Sequence, residues 1–147
     1  MQELPIEPES VVPAIVALVV AFALSLPIAW NREQGRRRMG LRTFPLVAMA
    51  SCAYVLIGLA ITGESSDSLA RIVQGLITGI GFIGGGAILK SSEEVKGAST
   101  AAAIWATGAL GAAVALDRYE LAIAIAVMTF LVFLVLTPVR EKMDNGA

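Results

Sequence analysis

Five apolar runs separated by short polar stretches divide the chain: residues 11–30, 43–62, 72–89, 98–116 and 121–139. Each is close to the ~20 residues that cross a ~30 Å hydrocarbon layer, and none contains Asp, Glu, Lys or Arg. The pattern predicts an all-α polytopic membrane protein with five transmembrane helices.

The polar connections sort by charge. The first holds Arg32, Arg36, Arg37, Arg38 and Arg42 against the single acid Glu33. Lys90 and Lys96 lie in the third, and Arg140 and Lys142 follow the fifth run. The N-terminus carries Glu3, Glu7 and Glu9 without a base. The second connection has Glu64 and Asp67 before Arg71, and the fourth has Asp117, Arg118 and Glu120. Lys and Arg are retained on the cytoplasmic side, so the alternation predicts an N-terminus outside and a cytoplasmic C-terminus. The acidic leader and the arginine cluster after the first run differ from a signal peptide and predict a retained span.

Composition narrows the chemistry. With 56% hydrophobic and 16% charged residues and a mean hydropathy of +0.76, the chain is too apolar for a soluble domain of this size. A net charge of −1 gives no basic field for nucleic acid. The absence of histidine removes His ligands, His bases and His pH switches. The single cysteine, Cys52, lies in an apolar run and reads as a small buried hydrophobe. With no acid inside a span and no base visible near Cys52, catalysis is not expected.

The spans are not equivalent. The fifth is rich in Leu, Val, Ile and Phe without glycine, as a lipid-facing helix would be. The fourth is mostly Ala, Gly, Ser and Thr. A helical wheel brings Gly97, Thr100, Ile104, Gly108 and Gly111 near one face, a surface for close helix approach. The third contains Gly75, Gly79, Gly81, Gly84, Gly85 and Gly86, each costing about 1 kcal/mol relative to alanine in a helix interior. That concentration predicts either very close packing on another helix or a break exposing backbone to a cavity or ligand. The third and fourth spans are expected to pair closely, with the fifth outside them. Residues 79–84 spell G-x-G-x-x-G, but the dinucleotide fingerprint needs a βαβ unit, which a membrane span excludes.

The remaining candidates are polar. Arg32 and Glu33 end the first span, and Arg42 and Thr43 begin the second. They read as topology anchors, or as a cytoplasmic mouth that Glu33 seals by pairing with Arg32 or Arg42. Thr78, Ser99, Thr100 and Thr107 either bond back to the preceding turn or line a polar path beside the glycines. Trp105, among small residues, fills the core or acts as a gate. Arg71 marks the outer edge of the third span. Pro27 and Pro45 are candidate bends at the arginine-loop side, and Arg36, Arg37 and Arg38 suit contact with anionic lipid.

Three motifs together resemble the MgtC/SapB family of bacterial inner-membrane proteins. They are Gly40-Leu41-Arg42-Thr43, the run from Arg71 through Gly79-Ile80-Gly81-Phe82-Ile83-Gly84-Gly85-Gly86-Ala87-Ile88-Leu89, and Gly97-Ala98-Ser99-Thr100-Ala101-Ala102 with Trp105-Ala106-Thr107. The chain departs from the family pattern at Asn31, where Glu is usual, and at Ala98 and Ser99, where Leu and Thr are usual. The resemblance implies a five-span membrane domain over residues 1–140 and multi-pass residence in the bacterial inner (plasma) membrane; many family members also carry a cytoplasmic C-terminal domain, whereas here only a short cytoplasmic tail at 141–147 is expected, without a C-terminal soluble domain. It also implies a role in magnesium or related ion homeostasis, by transport or by modulation of transport. The alternative is a regulatory subunit that carries no solute and binds another membrane complex through its small-residue faces. No cofactor is expected, Mg²⁺ being at most a transported or sensed ion. Beyond the lipid bilayer, the expected partners are further copies of the chain or a larger membrane complex. Because Mg²⁺ favours carboxylates and retained waters and the spans hold no carboxylate, a dehydrated Mg²⁺ site within the membrane is not expected.

Overall fold

The computed structural model describes residues 8–33, 40–63, 65–90 and 95–144. Gln34, Arg36, Arg37, Arg38, Glu3, Glu7, Glu64 and residues 145–147 lie outside them. So do the side chains of Glu9, Lys90, Lys96, Arg140 and Lys142. Within the described residues the chain forms α1 (Pro8–Glu33), α2 (Thr43–Thr62), α3 (Ser66–Gly86), β1 (Leu89–Lys90), β2 (Val95–Lys96), α4 (Ala98–Ala115) and α5 (Tyr119–Asp144). All five helices are long and apolar enough to cross a membrane. A helix satisfies its own backbone hydrogen bonds, which hydrocarbon cannot do, so each apolar run becomes one.

The helix bounds differ from the apolar runs mainly around α3. It starts at Ser66, before the apolar run, and the two short strands pair antiparallel, Leu89 with Lys96 and Lys90 with Val95. The third run therefore leaves the helix at Gly86 and enters a hairpin. At its far end α5 continues past Val139 to Asp144. Neither Pro13 nor Pro27 interrupts α1.

α4 occupies the centre of the bundle and touches each of the other four helices. Around it α3 packs beside α2, α2 beside α1 and α1 beside α5, while α3 and α5 make little direct contact. Of the α4 span 61% is buried, against 11% for α3. The α4 core face comprises Thr100, Ile104, Thr107, Gly108, Leu110, Gly111 and Val114. It meets the fully buried Ile28 of α1 and Phe44, Ala48, Cys52 and Val55 of α2 in one apolar cluster. The fifth helix is largely exposed, in keeping with a lipid-facing surface.

α3 and α4 pack against each other as expected, and the structure adds two details that the sequence did not carry. The closest backbone approach of α4 is to α2 rather than to α3: a Cβ added at Gly111 would overlap the Ala48 carbonyl oxygen. α3 does meet α4, but through Ile80, which fills the space over Gly108, and through Gly84, whose added Cβ would sit 3.3 Å from the Ala101 carbonyl oxygen. Second, the glycine-rich segment is neither broken nor tightly packed within the chain. α3 is continuous through Gly84-Gly85-Gly86, and an added Cβ at Gly75, Gly79, Gly81, Gly85 or Gly86 would meet nothing within 4 Å. Glycine clustering signals a surface made for close approach, but five of the six lie on surfaces that none of the described residues covers.

The turn between α4 and α5 is a Schellman closure. The Arg118 N–H donates to the Ala113 carbonyl at 2.9 Å and the Asp117 N–H to the Val114 carbonyl at 3.1 Å. Asp117 takes the left-handed position at φ +56°, a role usually given to glycine and tolerated by Asp. The Tyr119 hydroxyl donates to Asp117 Oδ1 at 3.0 Å and holds the side chain in place.

These contacts separate two kinds of glycine. Gly111→Ala is expected to destabilise the folded protein by about 2 kcal/mol or more, because its methyl group meets backbone rather than a movable side chain. Gly81→Ala is expected to leave stability unchanged or to raise it slightly. Denaturant unfolding of the two variants in detergent micelles checks the contrast.

Candidate functional site

Arg32, Glu33, Arg42, Thr43 and Thr100 lie at the end where α1 finishes and α2 and α4 begin. Arg32, in the last turn of α1, reaches across the bundle: its Nη2 donates to Thr100 Oγ1 on α4 at 2.7 Å. The same guanidinium lies 4.6 Å from the centroid of the Phe133 ring on α5. One arginine thus ties three helices together. A hydrogen bond from a charged donor contributes roughly 1.5–3 kcal/mol, and a cation–π contact adds about 0.5–2 kcal/mol as it is desolvated. Thr100 is buried, so its hydroxyl has a partner on another helix instead of the bond to its own preceding turn.

Glu33 does not form the gate pair considered from the sequence. Its Oε2 accepts hydrogen bonds from the Gly40 N–H at 2.9 Å and the Leu41 N–H at 3.1 Å. Those amides lie just before α2, so the carboxylate clasps both ends of the arginine-rich connection. Gly40 is required there by proximity: an added Cβ would overlap the Ala29 carbonyl oxygen and sit 2.7 Å from the Glu33 nitrogen. Arg42 stands exposed at the N-cap of α2, and Thr43, half-buried, opens the helix. Among the described residues neither forms part of a closed mouth with Glu33.

The other hydroxyls follow the simpler reading. Thr78 Oγ1 donates to the Gln74 carbonyl at 2.9 Å and Thr107 Oγ1 to the Ala103 carbonyl at 2.8 Å. Thr107 is fully buried, whereas Thr78 and Ser99 are exposed. They do not form a shared polar path. Trp105 is 52% exposed, which rules out the core-filling role. Cys52 is fully buried, as its apolar run implied. Arg71 is exposed in the second turn of α3.

Among the described residues, grooves open on the sides of the bundle, and two of them border α3. One, of about 640 Å³ between α2 and α3, is bordered by Ser51, Tyr54, Ile72, Gly75, Gly79 and Ile83. The other, of about 310 Å³, lies between α3 and α5 over the exposed edge of α4 and includes Trp105. Gly75 and Gly79 thus line a groove, Gly84 packs on α4, and Gly81, Gly85 and Gly86 point outward. Sequence reasoning missed the outward row of Gln74, Thr78, Gly81 and Gly85, all exposed. Their spacing of i, i+4, i+7 and i+11 is a helix stripe legible in the sequence. Phe133 as the seat for Arg32 had no sequence signal, being one aromatic in an apolar run. Among the described residues no group of three His, Cys, Asp or Glu side chains gathers to hold a metal ion.

The staple and the clasp are separable by mutation. Arg32→Ala is expected to destabilise the protein by about 3 kcal/mol. In a double-mutant cycle with Thr100→Val, a coupling of about 1.5 kcal/mol is expected. Glu33→Gln, which keeps an acceptor oxygen, should cost less than Glu33→Ala. Unfolding curves of the single and double variants, measured in one detergent, check all three.

The chain matches the MgtC family over residues 18–142. Protein SrpB of Synechococcus elongatus is 39% identical over 116 residues, covering 71% of this chain and 64% of the relative. The putative magnesium transporter YhiD of Escherichia coli K12 is 33% identical over 138 residues, 89% of this chain and 64% of the relative. Protein MgtC of Salmonella typhimurium is 30% identical over 133 residues, 90% of this chain and 56% of the relative. The chain therefore spans 56–64% of the length of these curated relatives. No solved structure matches the chain. The match extends from within α1 into the last turn of α5 and takes in both the arginine staple and the glycine-rich helix: this chain is a multi-pass membrane protein of the MgtC family.

Proposed function

We propose that this chain serves magnesium homeostasis as a membrane-embedded modulator, docking on a larger membrane complex or on further copies of itself, and does not carry the ion through its own bundle. The observation that supports this reading is the position of α4. A helix occupies the bundle axis, and Ile104, Leu110 and Val114 fill the space around it with buried side chains. A hydrated Mg²⁺ ion, which sheds water reluctantly, has no room along such an axis. The outward glycines of α3 supply the docking surface instead, because small residues let transmembrane backbones approach. The magnesium link rests on family membership and on the similarity to YhiD, a putative magnesium transporter. The inner membrane is the expected site, with the N-terminus outside and the C-terminus in the cytoplasm. The chain has no enzymatic activity in this reading and holds no cofactor.

A second reading is transport through an oligomer. The exposed row of Gln74, Thr78, Gly81 and Gly85 favours it, since several copies turning this stripe inward would line a polar path that one copy lacks.

Mg²⁺ uptake into sealed liposomes containing only the purified, folded chain distinguishes the two. The expected result is no flux above empty liposomes. In cells lacking the native protein, Gly85→Leu is expected to insert and fold normally yet fail to restore growth at limiting magnesium. Uptake by the purified chain that Gly85→Leu abolishes would overturn the modulator reading in favour of the oligomeric path.

A further inference from the structure

We propose that two copies of this chain pair side by side in the membrane along the outer crest of α3, with Asp67 of each copy meeting Arg71 of the other. The inference rests on the docking reading above and names a second copy as the occupant of that face. The crest consists of Asp67, Arg71, Gln74, Thr78, Gly81 and Gly85, all exposed. None of them borders the groove toward α2 or the groove toward α5. They lie on the side of α3 away from the buried Ile80 and Gly84.

Ordinary lipid is a poor match for this crest. α3 is the least apolar of the five helices and also the least buried, whereas a helix facing lipid alone turns apolar residues outward, as α5 does. Gln74 and Thr78 stand within the apolar run, about one and two turns beyond Arg71. The Thr78 hydroxyl is satisfied by the Gln74 carbonyl. The Asp67, Arg71 and Gln74 side chains have no hydrogen bond or ion pair among the described residues, and hydrocarbon offers the Gln74 amide none.

Spacing and charge select a second copy. From Asp67 to Gly85 the intervals are four, three, four, three and four residues, the repeat that keeps two parallel helices in contact at a crossing of about 20°. Two copies inserted the same way are related by a two-fold axis along the membrane normal, so their α3 helices run parallel and each residue faces its counterpart. Such an interface must be complementary to itself, and the crest is. Gly81 and Gly85 admit the facing backbone. A glutamine amide is donor and acceptor at once, so Gln74 pairs with Gln74 of the other copy. Asp67 and Arg71 stand about 6 Å apart along the helix, within reach of a long arginine side chain, so across the axis each carboxylate meets the other copy's guanidinium. A crest of one sign would repel its copy; this one carries one acid and one base.

Same-residue disulfide cross-linking of the full chain in cell membranes tests the pairing. Cys52 is fully buried and stays in place, with the unsubstituted chain as background. Thr78→Cys and Gly81→Cys are expected to form covalent dimers on mild oxidation. Ile83→Cys, at a position 51% exposed but off the crest, should stay monomeric. Asp67→Arg is expected to lower the Thr78→Cys dimer yield roughly fivefold, and adding Arg71→Asp should restore it. Failure of that swap to restore the yield would overturn the Asp67–Arg71 contact. Dimers at all three introduced cysteines alike would mean random collision and overturn the pairing. So would no dimer at Thr78→Cys or Gly81→Cys in protein whose introduced cysteine reacts with maleimide after solubilisation; the modulator reading would then stand with a different protein as partner. Mg²⁺ flux in liposomes, by contrast, would overturn the modulator reading and leave the pairing standing.

Discussion

The bundle depends on how closely the backbone of α4 can approach its neighbours. A helix surrounded by four others needs a slender profile, and leucine-sized side chains all round would push the ring apart. The sequence of α4 meets this need with alanine and glycine on much of its circumference. At Gly111 the Ala48 carbonyl of α2 takes the place a side chain would fill. Apolar burial does not drive helices together in hydrocarbon as it does in water, so van der Waals contact at such points carries much of the association. The larger side chains, Ile104, Leu110 and Val114, are buried in the shared apolar cluster.

Polar chemistry is sparing and local. Arg32 spends its guanidinium on Thr100 and Phe133, and Glu33 spends its carboxylate on two backbone amides. Adjacent in sequence and opposite in charge, the two residues act on different parts of the fold. One fastens α1 to the distant helices α4 and α5, while the other fastens it to the start of α2. An interpretation built on charge alone pairs them with each other or with Arg42. Geometry separates them because neighbouring residues on a helix point about 100° apart.

Five helices and their approximate ends were legible from hydropathy, because span length and the exclusion of charge are set by the bilayer itself. The small-residue character of α4 was legible too, but not which neighbour it would meet. Gly108 and Gly111 look alike in the sequence, yet one faces Ile80 on α3 and the other faces Ala48 on α2. The α3 glycines were legible as a cluster, but not that five of the six would be exposed on the helix. A one-dimensional pattern tells that backbone is exposed on a helix, not whether the partner is in the same chain. Trp105 misled for a related reason: surrounded by alanines in sequence, it sits on the edge of α4 that the gap between α3 and α5 leaves open. The hairpin after Gly86 was hidden because Ala87, Ile88 and Leu89 continue the apolar run.

The central placement of α4 also bears on biogenesis. Spans enter the membrane in sequence order, so the axial helix is the fourth to arrive. Until then α1, α2 and α3 have no common centre, and the face of α2 around Ala48 is left to lipid. The Glu33 clasp acts within one connection and can hold the first two helices as a hairpin during that interval. The Arg32 staple cannot form until Thr100 and Phe133 have both been delivered. The membrane domain must therefore assemble late and around its core, and an early block in synthesis leaves a loose set of helices with no native bundle.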